Sequence, residues 1–226
     1  MHRETTKNAR QNAYKQLESL FIRYPKLSGL RDGMLASYDI LLDTVTKGRK
    51  ILICGNGGSC SDSDHIVGEL MKSFCAYRPI ENELKQKLTE LDSEMGARLA
   101  DGLEGAIPAI NLTQHQALST AYGNDNSAPL VFAQQVYGYG ECGDTLIAIS
   151  TSGNSMNVVL AAITAKAKGL NVIALTGEKE SKLSEISDVC INVPEVETYK
   201  IQEYHLPIYH TLCLMLEASF WDERRH

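Results

Sequence analysis

The sequence contains no apolar run approaching the ~20 residues that cross a bilayer, and residues 1–16 are polar and mixed in charge where a secretory leader would be apolar. Both absences set the expectation of a cytoplasmic chain with no membrane partner. No CxxC pair occurs among the six cysteines, Cys54, Cys60, Cys75, Cys142, Cys190 and Cys213. Their scatter argues against a structural zinc finger and a secreted disulfide framework, and most read as small buried hydrophobes. Positive charge is not in surplus either, since 22 Lys+Arg stand against 28 Asp+Glu for a formal net charge of -6. Nothing global then attracts nucleic acid, and an anionic ligand has to be held by local geometry. The GKS or GKT ending of a nucleotide P-loop and the GxGxxG dinucleotide turn are both missing, which disfavours ATP and NAD.

What is present is ordinary globular composition, 43% hydrophobic and 22% charged over 226 residues, which fits one large α/β domain. Leu17, Leu20 and Phe21, then Met34, Leu35, Tyr38, Leu41 and Leu42, recur at helical spacing on either side of a break at residues 25–33. Five short apolar runs follow, at residues 50–54, 106–112, 145–149, 171–175 and 189–193, bounded by Gly, Asp or Pro as buried parallel strands are. An Ala-rich helical stretch at residues 157–168, ending in Gly169, supplies a crossover. The expected fold is a doubly wound parallel five-stranded sheet flanked by helices, a single domain over residues 1–226 with N-terminal helices in 1–48. Residues 81–103 carry Glu83 and Lys87 at i,i+4 around Leu84, Leu88, Leu91 and Met95. They predict one inserted helix, either solvated or serving as a lid or oligomer contact. A dense apolar helix is expected from Gln202 to Trp221, interrupted by Pro207 and buried in the core or in a subunit interface, and its apolar surface predicts a homo-oligomer.

Two strand ends are built for an anion. Gly55, Asn56, Gly57, Gly58 and Ser59 follow the first run; Ser150, Thr151, Ser152, Gly153, Asn154 and Ser155 follow the third and lead into a helix. Glycines let the backbone approach a bound group, helix-start N–H groups point at it, and hydroxyls add neutral donors. For a single cluster of this kind a turn with a helix cap is the alternative, but four hydroxyls in six residues at a strand-to-helix junction favour phosphate. Behind the glycine loop, His65 and Glu69 lie one helical turn apart on one face.

These segments, with Ala174-Leu175-Thr176-Gly177 and Ile201-Gln202-Glu203-Tyr204-His205, resemble the sugar isomerase (SIS) domain family and, within it, the phosphoheptose isomerases. The resemblance implies the SIS fold and an aldose-ketose isomerase of a sugar phosphate, most closely one acting on sedoheptulose 7-phosphate. It further implies zinc or another divalent ion held by His65, Glu69, Gln202 and His210, and a homotetramer. Imidazole, carboxylate and amide oxygen suit such an ion. Helix geometry alone does not pair Gln202 with His210, because eight residues rise ~12 Å and turn ~80°; Glu203 shares the face of His210 better. Glu69 is the expected base at carbon and His210 its acid/base partner. Ser150, Thr151, Ser152 and Ser155 are expected on the phosphate, and Asn56, Gly57, Gly58, Ser59, Asn124, Asp125 and Gln202 around the rest of the substrate. Asp125 has a turn residue as its plainer reading, and His205 that of a core or interface histidine. Two alternatives remain open: a non-catalytic SIS protein that senses a phosphosugar or binds a protein, and an isomerase or lyase of another sugar phosphate.

Overall fold

The computed structural model describes Thr5, Thr6 and residues 8–221. The chain runs α1 (Ala9–Arg23), α2 (Arg31–Thr46), β1 (Ile51–Gly55), α3 (Gly58–Met71), α4 (Asn82–Leu91), α5 (Met95–Gly102), β2 (Ala109–Asn111), α6 (Gln116–Tyr122), α7 (Val131–Tyr139), β3 (Thr145–Ile149), α8 (Met156–Ala167), β4 (Asn171–Thr176), α9 (Lys182–Ile186), β5 (Val189–Asn192) and α10 (Thr198–Phe220). All strand pairs are parallel, in the order β2-β1-β3-β4-β5.

Successive side chains of a strand point to opposite faces, and here both faces are covered, so the strands read as unbroken apolar runs. Ile51, Ile53, Ile147, Ile149, Ile173 and Leu175 pack on one side with residues of α1, α2, α3 and α10. Leu52, Cys54, Leu146, Ala148, Val172 and Ala174 face α7 and α8 on the other. Register decides where the loops emerge. Gly55 pairs with Ile149, and Ile149 with Leu175, so the glycine loop, the serine loop and the turn at Gly177 leave the sheet at one carboxyl edge, where ligands bind in open parallel sheets.

Two expectations are corrected. Residues 81–103 form two helices, not one: Asp92 Oδ1 accepts from the N–H groups of Glu94 and Met95 at 3.0 and 2.7 Å, turning the chain. The crossing is so close that a Cβ on Gly96 would lie 1.9 Å from the Leu88 carbonyl oxygen. No side chain of α4 is buried, and Leu91 is 85% exposed. The second correction concerns α10, whose apolar residues do not lie bare. Ile208, Leu212, Met215 and Leu216 are buried in the chain's own core, because α1, α2 and α3 pack around the helix. The apolar density of α10 is therefore no argument for a partner copy. Pro207 lies well inside α10.

His205 of α10 is fully buried; its Nε2 is 3.3 Å from the Thr176 carbonyl oxygen and its Nδ1 has no partner among the described residues. Burial pushes its pKa down to about 4. The folded state then holds fewer protons than the unfolded chain between pH 4 and 6.5, so this contribution is complete above pH 6.5 and is lost as pH falls toward 4. Urea melts of wild type and His205→Asn should show their difference in unfolding free energy shrinking by about 3 kcal/mol from pH 6.5 to 4; a constant difference would contradict a buried neutral imidazole.

Candidate active site

Gly57 has φ +56°, a left-handed conformation that turns β1 into α3. The Gln202 side chain of α10 comes down on the next residue, so closely that a Cβ on Gly58 would stand 2.6 Å from Gln202 Nε2. Ser59 is 2% exposed and sits beneath the loop against Gly55. Asn56 reaches across to Asn157 of α8, and the two amides exchange hydrogen bonds in both directions at 2.9 Å. The glycine and serine loops are thus tied together.

In the serine loop the Ser150 hydroxyl lies 2.9 Å from that of Ser155 and 3.5 Å from that of Ser152. Ser155 is the N-cap residue of α8, yet its side chain makes no capping bond. The Ser150 hydroxyl thus lies between those of Ser152, which also accepts from the Asn154 N–H at 3.2 Å, and Ser155, which makes no capping bond to the helix. Thr151, Ser152 and Asn154 also line a cavity of about 210 Å³ shared with Gly177, Lys179 and Thr198.

About two and three turns along α3, His65 and Glu69 meet α10. His65 Nε2 is 3.3 Å from Glu69 Oε1 and 3.3 Å from His210 Nε2, with the two rings edge to face at 4.7 Å. Glu69 is 9% exposed, and Lys72 Nζ approaches its other oxygen at 3.4 Å. Burial, and secondly the nearby His65, hold the pKa of His210 below the ordinary imidazole value; at neutral pH its ring is uncharged and available for proton transfer or coordination.

The structure therefore brings His65, Glu69 and His210 into one cluster and Gln202 to the glycine loop. Among the described residues no hydrogen bond joins Gln202 to the three, and no group of three or more His, Cys, Asp or Glu side chains forms a ready-made metal cage. Asn124 and Asp125 sit on a π-helical turn, bonded to one another at 3.0 Å and exposed; no hydrogen bond links them to the cluster or to either loop among the described residues. Sequence reasoning missed Asp62 and Tyr209. Tyr209 donates to Asp62 at 3.3 Å and lies 3.1 Å from His65 Nδ1. Burial raises the Asp62 pKa to about 6 and pushes that of Tyr209 above the ordinary phenol value. Asp62 precedes His65 by three residues, a same-face spacing that would have been the signal.

A glycine loop and a hydroxyl loop at the carboxyl edge of a parallel sheet, with a His–Glu–His cluster beside them, define a class. The SIS domain family profile matches residues 104–177, the span that carries β2, β3 and the serine loop. Relatives narrow it further. A phosphoheptose isomerase of Akkermansia muciniphila is 36% identical over 182 residues, 80% of this chain and 82% of that protein. One of Nitratiruptor sp. is 36% identical over 181 residues, 80% and 83% of the two chains. Among solved structures, the phosphoheptose isomerase of Neisseria gonorrhoeae matches with a TM-score of 0.69 and 31% identity over 91% of this chain and 96% of that one. That of Francisella tularensis matches with a TM-score of 0.70 and 29% identity over 93% and 98%. The chain belongs to the phosphoheptose isomerase family and is a phosphosugar isomerase.

Proposed function

We propose that the substrate pair is sedoheptulose 7-phosphate and glycero-manno-heptose 7-phosphate, interconverted through an enediol with Glu69 as the base at carbon. The observation that carries this reading is the buried Glu69 carboxylate, 3.3 Å from His65, which in turn meets His210, next to two loops that the Asn56–Asn157 amide pair holds together. In the ketose-to-aldose direction Glu69 takes a proton from C1 and returns it to C2. His210 gives a proton to O2 and recovers one from O1, so the proton count closes. The serine hydroxyls and the first-turn N–H groups of α8 hold the distal phosphate.

The donor set, two imidazoles and a carboxylate, suits a divalent metal. Zinc bonds of ~2.0–2.1 Å in tetrahedral geometry place neighbouring donors about 3.3 Å apart, the spacing found for His65 Nε2 with both Glu69 Oε1 and His210 Nε2. His65, Glu69 and His210 would hold the ion, with Gln202 a further donor by family resemblance. Bound there, it would polarise the substrate oxygens.

Ser152→Ala and Ser155→Ala should each weaken the binding of a non-reacting heptose phosphate by ~1–3 kcal/mol, the loss of a hydrogen bond to a charged group. Calorimetric titration measures this beside thermal melts. Unchanged affinity with lowered melting temperature would leave the loop a purely structural role.

A sensor or protein-binding role without turnover gains no support from a site that keeps its acid/base set. We also propose a homo-oligomer, a tetramer by family resemblance. Support comes from the α4–α5 pair, where Leu84, Leu91, Met95 and Leu99 are each exposed. Sedimentation at micromolar concentration showing a stable monomer would sink this. No helix among the described residues is long and apolar enough to cross a membrane.

A further inference from the structure

Asp62 and His65 share a flank of α3, and Tyr209 of α10 reaches between them, its ring 5.6 Å from that of His65 at 70°. The phenol has a single proton to give. It donates to Asp62 Oδ1. The second oxygen, Oδ2, is buried without a hydrogen-bond partner among the described residues. If Tyr209 turned its proton to His65 instead, both carboxylate oxygens would be stranded, and an unmet buried acceptor is costly. Glu69, by contrast, has Lys72 as a second neighbour and does not depend on a proton from His65. His65 Nδ1 is then the donor to the Tyr209 oxygen, across 3.1 Å.

We infer that Asp62 and Tyr209 are positioning residues, which lock His65 in its Nδ1–H tautomer and aim the bare Nε2 lone pair at the space between Glu69 and His210. This rests on the proposed cluster chemistry but assigns two residues that the reading above leaves without a role. Nε2 then faces the acceptor Glu69 Oε1 with no hydrogen between them, so a cation is favoured there. A ligating imidazole needs its other nitrogen held as a donor in this manner.

The test uses apo protein labelled with ¹⁵N-histidine at pH 8, read by two-bond nitrogen–proton correlation. His65 should show a protonated Nδ1 and a bare Nε2. Tyr209→Phe removes the acceptor while keeping the ring. Asp62→Ala frees the phenol proton to turn toward Nδ1. Both variants should move His65 toward the Nε2–H form, with the His205 signal unchanged as a check on folding. Zinc ion alone should bind both about 10–100-fold more weakly than wild type, the usual effect of losing such a partner. A wild-type His65 in the Nε2–H form, a tautomer unmoved in both variants, or unaltered zinc affinity would each overturn the inference. The tautomer is read without substrate, so absence of isomerisation would count against the functional reading and leave this result standing.

Discussion

Glu69→Gln is expected to lower kcat by about 10²–10⁴-fold, the range a positioned general base contributes, while sugar phosphate affinity changes little. The substitution keeps the size of the side chain and deletes its capacity to take a proton. The fold around it should hold, because Arg78 donates to the backbone carbonyl of Glu69 and not to its carboxylate, at 3.0 Å. Steady-state rates and calorimetric binding on the same preparation separate the two effects. A variant within threefold of wild type would assign proton abstraction at carbon to another group. Metal content has to be measured in parallel, since the carboxylate is also a proposed ligand.

The largest stability effect is expected far from the serine loop, at Glu217. This carboxylate is 2% exposed and accepts from the N–H groups of Phe74, Cys75 and Ala76 at 2.8, 2.7 and 2.9 Å and from Arg78 Nε at 2.7 Å. Arg78 is itself fully buried, gives its remaining reach to the carbonyls of Leu70 and Glu69, and lies against the Trp221 ring. The pair thereby caps the carboxyl end of α3 and pins it to α10, the two helices that carry the His–Glu–His cluster. Glu217→Ala leaves a guanidinium and three N–H groups without their acceptor. A loss of about 3–5 kcal/mol is expected, which for a chain of this size lowers the melting temperature by roughly 6–20 °C. An apolar double variant, Arg78→Met with Glu217→Leu, should recover only part of this, because the three backbone donors remain unmet. Full recovery would show that the charge pair alone mattered.

Strand positions were legible because burial on both faces leaves short apolar runs with little else in them; β3 has the predicted bounds. β2 is shorter than its run, since only residues 109–111 pair with β1. The break in residues 81–103 was hidden because helical periodicity continues across it. What turns the chain is one Asp side chain accepting from two backbone N–H groups, and a glycine that permits a close crossing. In the site, the two loops announced themselves by composition, and His65 with Glu69 by spacing. The convergence of His210 on them, 145 residues away in sequence, depends on how α10 packs against α3 and has no local signature. Arg78 and Glu217 were illegible for the same reason, although a lone Glu inside the apolar end of α10 is a mark of a charge that must find a buried partner.

The central claim is that this site moves a proton between C1 and C2 of a heptose phosphate. Incubation of the metal-loaded protein with sedoheptulose 7-phosphate in D₂O, followed by NMR, tests it most directly. The account predicts an aldoheptose 7-phosphate bearing deuterium at C2, exchange of a C1 proton in the remaining ketose, and loss of both signals in Glu69→Gln. Protein that binds the ketose phosphate yet neither forms the aldose nor exchanges a proton would contradict it.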